Sequence, residues 1–148
     1  MIYQRRISAS LKEQVTEQAE YISIILENSM DAIIFTNKDN LIQVWNKGAE
    51  KIFEYKADEV IGKGFQMIIP SEIDAESELK QIDKIVEKQG YIANYIASRI
   101  TKSGRRITVN ISRTMITSSK GETRGILSSY VTKPKSSNWN KEYIIPKN

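Results

Sequence analysis

The chain has 148 residues, a formal charge of +4 from 22 basic and 18 acidic side chains, and neither cysteine nor histidine. Without these two residue types it has no thiolate nucleophile, no Ser-His pair and no imidazole metal ligand, so we expect neither an enzyme nor a metal site. Its charges are mixed along the chain, and no apolar run approaches the roughly 18 residues of a membrane span, so we expect no nucleic-acid partner and no membrane insertion. The absence of cysteine fits a reducing compartment, and we expect one soluble cytoplasmic domain with short appendages.

An amphipathic helix is predicted over residues 8–27, because apolar residues recur there every three or four positions. These residues are Leu11, Val15, Ala19, Ile22 and Leu26. Two interpretations fit the pattern: the helix folds back onto the domain, or it dimerises and carries a signal. In the second, all of these residues except Ala19 are candidates for the dimer contact, and residues 1–25 form a flanking segment.

A β-hairpin is predicted next. Residues 32–36 and 41–45 are rich in β-branched and aromatic side chains, and the Asn and Asp residues between them favour a turn. Neither run alternates strictly between apolar and polar residues. We therefore expect both faces of this hairpin to be covered by protein or by a ligand.

A series of helices is predicted after the hairpin. Asn46 is expected to cap a short helix over residues 47–55, and two further short segments follow at 57–62 and 65–70. A longer amphipathic helix is predicted over residues 71–89, with Ser71 as its N-terminal signal.

Three strands are predicted to complete the domain, over residues 91–100, 106–115 and 123–132. The second of these shows the clearest period of two, with Ile107, Val109 and Ile111 alternating with polar residues. The order of elements is helix, two strands, several helices and three strands, which indicates an α+β fold.

This order of elements resembles the PAS domain family over residues 26–133. The resemblance rests on five blocks in order: ILENSMDAIIFTN, LIQVWNKGAEKIFEY, ADEVIGKGFQMIIP, TKSGRRITVNISRTMI and KGETRGILSSYVT. It implies a five-stranded antiparallel sheet in the order 2-1-5-4-3, with short helices closing a small pocket on one face. It also implies a sensory or regulatory function, in which a bound ligand, cofactor or partner changes the signal passed through a flanking helix.

The composition restricts which cofactors the resemblance can imply. Without cysteine there is no flavin-cysteine photoadduct and no thioester chromophore, and without histidine there is no haem bound in the family's usual way. Flavin-binding relatives often carry amides on the two central late strands, where this chain has Arg99 and Val109, while Asn110 alternates to the opposite face. Light-type flavin binding is therefore not expected, whereas a non-covalent flavin or a small apolar ligand stays open.

The candidate pocket residues come from the hairpin, the short helices and the late strands. They are Ile34, Thr36, Trp45, Phe53, Ile61, Phe65, Ile69, Arg99, Val109 and Leu127. The alternative interpretation of the apolar members is an ordinary filled core. Arg99 either pairs with an anionic ligand or lies on the sheet surface, and the usual exposure of arginine favours the surface.

The last 15 residues, 134–148, are predicted to form a tail, because Pro134 discourages a helix that continues the last strand. The output of a sensor would then lie in a partner or outside this sequence. We expect a homodimer that acts on an effector such as a kinase, a cyclase or a transcription regulator. The alternative is a PAS scaffold that binds no ligand and acts only through protein contacts or dimerisation.

Overall fold

The structure is a computed structural model that describes residues 2–133, with side chains described from Ala9 onward. The helices are α1 Ile2–Asn28, α2 Lys47–Phe53, α3 Ala57–Val60, a 3-10 helix Gln66–Ile68 and α4 Ala75–Gln89. The strands are β1 Ala32–Asn37, β2 Ile42–Trp45, β3 Tyr91–Ile100, β4 Arg106–Thr117 and β5 Thr123–Thr132. They form one antiparallel sheet in the order β2-β1-β5-β4-β3, so the predicted α+β fold and strand order are confirmed. The tail predicted over residues 134–148 lies outside the described residues.

The β1–β2 hairpin forms where it is predicted, and its turn is held by one side chain. The Oδ1 atom of Asn37 accepts hydrogen bonds from the backbone N–H groups of Asp39 at 3.0 Å and Leu41 at 3.1 Å. A short amide side chain that bonds to its own backbone in this way stabilises a turn without requiring glycine at every position.

The inner face of the sheet, which packs against the helices, contains the core of the domain. One row across it is formed by Ala32, Tyr130, Ile111 and Tyr95, which are successive Cα partners from β1 through β5 and β4 to β3. The first three are fully buried and the fourth is half-buried. The period of two therefore orders the inner face across four strands.

The outer face is not covered by any of the described residues, so the expectation that protein or a ligand covers both faces of the hairpin stays a prediction for this face. Leu127 and Val131 are 40% and 38% exposed, and Ile33 and Phe35 are only partly buried. The apolar run of β1 lacks strict alternation because its outward residues, Ile33 and Phe35, are apolar as well.

The longer helix α4 begins at Ala75, four residues after the predicted start at Ser71. Asp74 is its N-cap, since the Asp74 side chain accepts a hydrogen bond from the backbone N–H of Ser77 at 3.1 Å. The residues before it form a turn, in which the N–H of Ile73 donates a hydrogen bond to the Pro70 carbonyl at 3.0 Å. The Asp cap therefore overrides the Ser signal that preceded it.

Helix α1 extends beyond its predicted range at both ends, and it projects away from the domain. Every described side chain from Ala9 to Ile25 is exposed, including Leu11 at 56%, Val15 at 66% and Ile22 at 58%, whereas Leu26 is partly buried. The interpretation in which this helix folds back onto the domain is therefore wrong. The dimer contact through its apolar stripe stays a prediction.

Asn46 connects α1, β1 and α2. Its Oδ1 atom accepts from the backbone N–H groups of Ala49 at 2.9 Å and Ile33 at 2.8 Å, and its Nδ2 atom donates to the carbonyls of Leu26 and Asp31, both at 3.0 Å. The residue is 2% exposed. Its predicted role as a helix cap is confirmed, and the structure adds the connection to the C-terminal end of α1.

We expect Asn46→Ala to destabilise the domain by about 2–4 kcal/mol, because it removes a cap and leaves buried backbone groups unpaired. Asn46→Asp keeps the capping oxygen but loses both donated hydrogen bonds, so we expect a loss of about 1–3 kcal/mol. Urea denaturation followed by circular dichroism measures both changes. Asn110→Ala is the control, since the Asn110 side chain bonds only to Asn94 in an exposed pair. An Asn46→Asp variant as stable as the wild type would show that the side chain acts as a cap alone.

Candidate functional site

Eight of the ten predicted pocket residues are buried, and two are not. The buried residues are Ile34, Thr36, Trp45, Phe53, Phe65, Ile69, Arg99 and Val109. Ile61 is 44% exposed because it follows the last residue of α3 as its C-cap. Leu127 is 40% exposed because it pairs with Phe35 and Thr114 on the outer face of the sheet. Neither of these two lines an internal pocket.

The part of the inner face near the hairpin is filled by aromatic rings. The ring centroids of Trp45 and Phe53 are 5.5 Å apart, and those of Phe53 and Tyr130 are 5.3 Å apart in an edge-to-face arrangement. The indole N–H of Trp45 donates to the Tyr55 carbonyl at 3.0 Å. These rings have the geometry of favourable aromatic pairs, so among the described residues this region is packed with side chains, as in the alternative of a filled core.

A cavity of about 370 Å³ lies instead between α4 and the segment that precedes the 3-10 helix. Its lining residues are Asn40, Gly64, Phe65, Gln66, Glu76, Leu79, Lys80, Asp83 and Arg113. Of the ten predicted residues only Phe65 is among them. The cavity therefore combines an apolar wall, formed by Phe65 and Leu79, with two acidic and two basic side chains.

Arg113 is the buried charge at this cavity. It is 2% exposed, and its guanidinium carbon lies 5.4 Å from the centroid of the Phe65 ring. Its Nη2 atom is 3.1 Å from Oδ1 of Asp83, yet neither this oxygen nor the Nε atom of Arg113 has a hydrogen-bond partner among the described residues. The two charges attract each other without a well-oriented hydrogen bond, so donor capacity is left unused at the cavity.

Arg99 is buried as well, at 1% exposure, so the expectation that it lies on the sheet surface is wrong. It shares the inner face with Ala97 and Tyr95, and its Nη2 atom bonds to Oε1 of Glu78 at 2.8 Å. Its Nη1 atom donates to the Ser98 carbonyl at 2.8 Å, which leaves only Nε without a described partner. Arg99 therefore has a well-formed partner on α4, in contrast to Arg113.

Tyr130 and Ser128 lie on the inner face beside these arginines. Burial raises the pKa of the Tyr130 phenol, and the positive charges of Arg99 and Arg113 partly oppose that rise. Ser128 is the Cα partner of Arg113 on the neighbouring strand, is fully buried, and has no described hydrogen-bond partner for its Oγ atom. Two adjacent strands thus bring an unpaired guanidinium N–H and an unpaired hydroxyl to the same face.

Asp83 is a counter-ion for Arg113 whose charged form is disfavoured by burial. Burial raises the pKa of its carboxyl, the attraction of Arg113 lowers it in part, and the nearby Glu87 raises it again. Loss of solvation thus outweighs the attraction of the arginine, which is the typical cost of placing an ion pair in a partly buried site. The side chain of Asp83 retains 22% exposure and so has access to water.

The sequence contained a signal for Arg113 that the pocket prediction missed. Ile107, Val109 and Ile111 alternate onto the inner face, and continuing the same period of two reaches Arg113. An arginine at a buried position of an alternating strand requires a counter-ion, and Glu78 and Asp83 flank the apolar stripe of α4. Which carboxylate meets which arginine depends on the packing of α4 against the sheet, and sequence spacing does not give that.

Within the described residues no cluster of three or more acidic side chains has the arrangement of a metal site. The same part of the chain contains no helix long and apolar enough to cross a bilayer.

Comparisons with known proteins agree with this fold. A family model described as the PAS fold matches residues 20–129. The PAS domain of a protein from Colwellia psychrerythraea superposes with a TM-score of 0.71 at 22% identity, over 78% of this chain and 96% of that one. The PAS domain of a two-component sensor histidine kinase gives a TM-score of 0.66 at 16% identity, over 80% and 99%. The PAS domain of a LuxR-family transcriptional regulator from Burkholderia thailandensis was solved in complex with ethanol. It superposes with a TM-score of 0.63 at 14% identity, over 74% of this chain and 94% of that one. No curated protein matches the chain.

We expect Arg113→Met to raise the pKa of Asp83 further, because the substitution removes the one charge that lowers it. NMR titration of the side-chain carboxyl carbon measures the pKa in both proteins. Arg106→Met is the matched control, because Arg106 is on the same strand and is exposed, and its partner is Glu72 rather than Asp83. An Asp83 pKa at or below the ordinary aspartate value in the wild type would contradict this account of the site.

The same shift fixes the sign of a stability effect. A carboxyl whose pKa is raised by folding favours the folded state below its unfolded pKa of about 4, and that contribution is lost as pH rises through its folded pKa. The stability of the wild type relative to Asp83→Asn should therefore fall over that window, as measured by urea denaturation at several pH values. A difference that grows with pH would contradict the direction of the shift.

Proposed function

The chain belongs to the PAS fold family, and from that membership we propose that it is a sensory or regulatory module which binds a small ligand and passes a signal through α1. Its proposed role is binding rather than catalysis, and its proposed location is the cytoplasm. The domain acts as a homodimer on an effector such as a kinase, a cyclase or a transcription regulator, in the same chain or in another.

The cavity beside α4 is the observation that carries the ligand-binding part of this proposal. Its volume of about 370 Å³ is in the range of small-molecule sites, and its wall combines apolar side chains with a few polar groups. Phe65 and Leu79 supply apolar contact, and Arg113 supplies a buried donor. This combination of shape, apolar surface and oriented donors is typical of a binding site.

The proposal that the domain acts on an effector is supported by the kinds of protein that contain PAS domains of similar structure. One of the similar structures belongs to a sensor histidine kinase and another to a transcriptional regulator, and in the second the PAS domain was solved with ethanol bound. These are properties of those proteins. For this chain they support a role upstream of an output domain, and they make a small neutral molecule a reasonable first probe.

A bound cofactor would have to be held without a covalent bond to cysteine and without an imidazole ligand, because the sequence has neither residue. A non-covalent flavin or a small apolar ligand remains compatible with the residues that line the cavity. Arg99 and Val109, at the two positions where flavin-binding relatives often carry amides, are a buried ion-paired side chain and an aliphatic one. They offer no amide edge to a flavin ring, so we favour the small ligand.

The second candidate function is a scaffold that binds no ligand. The packed rings of Trp45, Phe53 and Tyr130 favour it, since they fill the region of the inner face that was expected to form the pocket. In this alternative the domain acts through contacts between protein surfaces, of which the exposed stripe on α1 is one.

Native mass spectrometry of protein purified without denaturation tests the ligand directly. We expect a mass above that of the bare chain, and a small molecule in the extract after denaturation. Leu79→Trp, which fills the cavity, should remove that extra mass, whereas Leu41→Trp, an exposed substitution in the hairpin turn, should keep it. A bare mass for the wild type, with no small molecule in the extract and no binding of added ligands, would favour the scaffold.

Dimerisation through α1 has its own test. We expect Val15→Glu with Ile22→Glu to convert the dimer to a monomer in sedimentation, because both substitutions place charge in the apolar stripe. Thr16→Glu with Ser23→Glu adds the same charge one residue, about 100°, further around the helix and should leave the dimer intact. Deletion of residues 1–24 should also give a monomer. A wild-type monomer, or a dimer that persists in the deletion, would contradict the proposal.

A further inference from the structure

We propose that the cavity beside α4 takes a small organic carboxylate with an apolar body, and that its carboxylate replaces Asp83 as the counter-ion of Arg113. The inference rests on the proposed ligand-binding function and specifies the chemical class of the ligand. It follows from three features: an incompletely bonded buried arginine at the cavity, an unpaired hydroxyl on the strand next to that arginine, and an apolar wall of the cavity.

The first feature is the unused bonding capacity of Arg113. A guanidinium has five N–H donors, and burial without acceptors is costly for each of them. At 2% exposure Arg113 lies near one carboxylate oxygen, but the Asp83 oxygen and the arginine Nε atom are not hydrogen-bonded to each other or to any other described group. The site therefore contains a buried positive charge with at least one N–H, on Nε, that no described residue accepts.

The second feature is the hydroxyl of Ser128. Ser128 and Arg113 face each other as Cα partners on β5 and β4, so their side chains leave the sheet on the same side. The Ser128 Oγ atom is buried without a described partner. Ser128 does not line the cavity, so the contact proposed for the ligand is with the guanidinium, from which a planar carboxylate can accept two parallel N–H bonds.

The charge balance favours a monoanion over a phosphate. The lining of the cavity contains Glu76 and Asp83 as acids and Lys80 and Arg113 as bases, so its formal charge is zero. When a single carboxylate displaces Asp83 into water, one negative charge replaces another beside Arg113, so the arginine keeps a counter-ion of the same charge. A dianionic phosphate would leave an additional negative charge beside two acidic residues, with no second buried arginine lining the cavity.

The third feature sets the body of the ligand. The Phe65 ring lies beside the guanidinium of Arg113, and Leu79 adds a second apolar side chain to the lining. A group that stacks on an aromatic ring next to a carboxylate site is itself aromatic or branched aliphatic. Arylcarboxylates of the size of benzoate or indole-3-acetate fit this description and a cavity of about 370 Å³.

Asp83 is suited to be displaced. Its side chain is partly exposed, it lies on α4 at the cavity, and its oxygen nearest Arg113 is not hydrogen-bonded. Rotation of Asp83 toward water would restore the solvation that burial has removed. Glu78 is not suited in the same way, because its bond to Arg99 is well formed and Arg99 does not line the cavity. The exchange is therefore confined to the Arg113 site.

The experiment uses benzoate, phenylacetate and indole-3-acetate, each compared with its primary amide as a neutral analogue. Affinity is measured by NMR titration of the full chain, together with the change in melting temperature. We expect at least one acid to bind and its amide to bind at least about tenfold more weakly, as expected for the loss of charged hydrogen bonds. In the wild type the largest shifts should occur at the backbone amides of Phe65, Leu79 and Arg113, which gives a result that needs no variant.

Three variants separate the roles of the residues. Asp83→Asn removes the competing carboxylate, so the acid should bind several-fold more tightly than to the wild type. Arg113→Met with Asp83→Asn replaces the ion pair by groups that need no counter-ion, which preserves folding better than Arg113→Met alone, and acid binding should fall by about tenfold or more. Arg106→Met removes an exposed arginine from the same strand and should leave the affinity unchanged.

The results distinguish this proposal from the function on which it rests. If the amides or other neutral compounds bind in the cavity and the acids do not, the carboxylate class is wrong while the ligand-binding function stands. If neither acids nor amides bind and the native protein carries no small molecule, both are wrong. Unchanged acid affinity in Arg113→Met with Asp83→Asn would place the acid elsewhere and would also overturn the proposal.

Discussion

The burial of two guanidinium groups on the inner face of the sheet is the constraint that fixes the position of α4. Arg99 and Arg113 are on adjacent strands and are almost completely shielded from water. An arginine cannot lose its proton to escape the cost of burial, so each requires an acidic partner in the layer above it. Helix α4 supplies both, with Glu78 and Asp83 beside an apolar stripe that packs on the same face. The helix thus covers the core with its apolar stripe and also supplies the counter-ions of the two buried arginines.

The two ion pairs differ in hydrogen bonding. We therefore interpret the Arg99–Glu78 pair as structural and the Arg113–Asp83 pair as part of a binding site. Glu78 accepts a 2.8 Å hydrogen bond from Arg99 and also receives the phenol of Tyr95 at 3.5 Å. Asp83 has no such bond, and burial dominates the shift of its pKa. Breaking the first pair would leave an uncompensated buried charge, whereas exchanging the second for a better acceptor would relieve one. Arg113 and Asp83 both line the cavity beside α4, whereas Arg99 and Glu78 are not among its lining residues.

The sequence predicted the strands well, because the periods of strands and the Asn and Asp turn residues are local signals, whereas their order in the sheet came from the resemblance to the PAS family. It located the pocket poorly. Trp45 and Phe53 are apolar at core spacing whether a ring or a ligand lies against them, so only the packed structure shows that a neighbouring ring does. Arg99 was expected at the surface because most arginines are exposed, and its acceptor is 21 residues earlier on α4. Pairings of that kind depend on the tertiary arrangement and leave no local pattern.

The site and the N-terminal helix are connected by continuous packing. The Phe65 ring at the cavity is 6.4 Å from that of Tyr130, Tyr130 packs edge-on against Phe53, and Phe53 packs against Trp45. The next residue, Asn46, bonds to the last turn of α1 through the Leu26 carbonyl. A path of contacts becomes a coupling only if a ligand favours one of two arrangements of it. The proposed exchange of Asp83 for a ligand carboxylate would change the counter-ion on α4, and these rings are the contacts that lie between that change and α1.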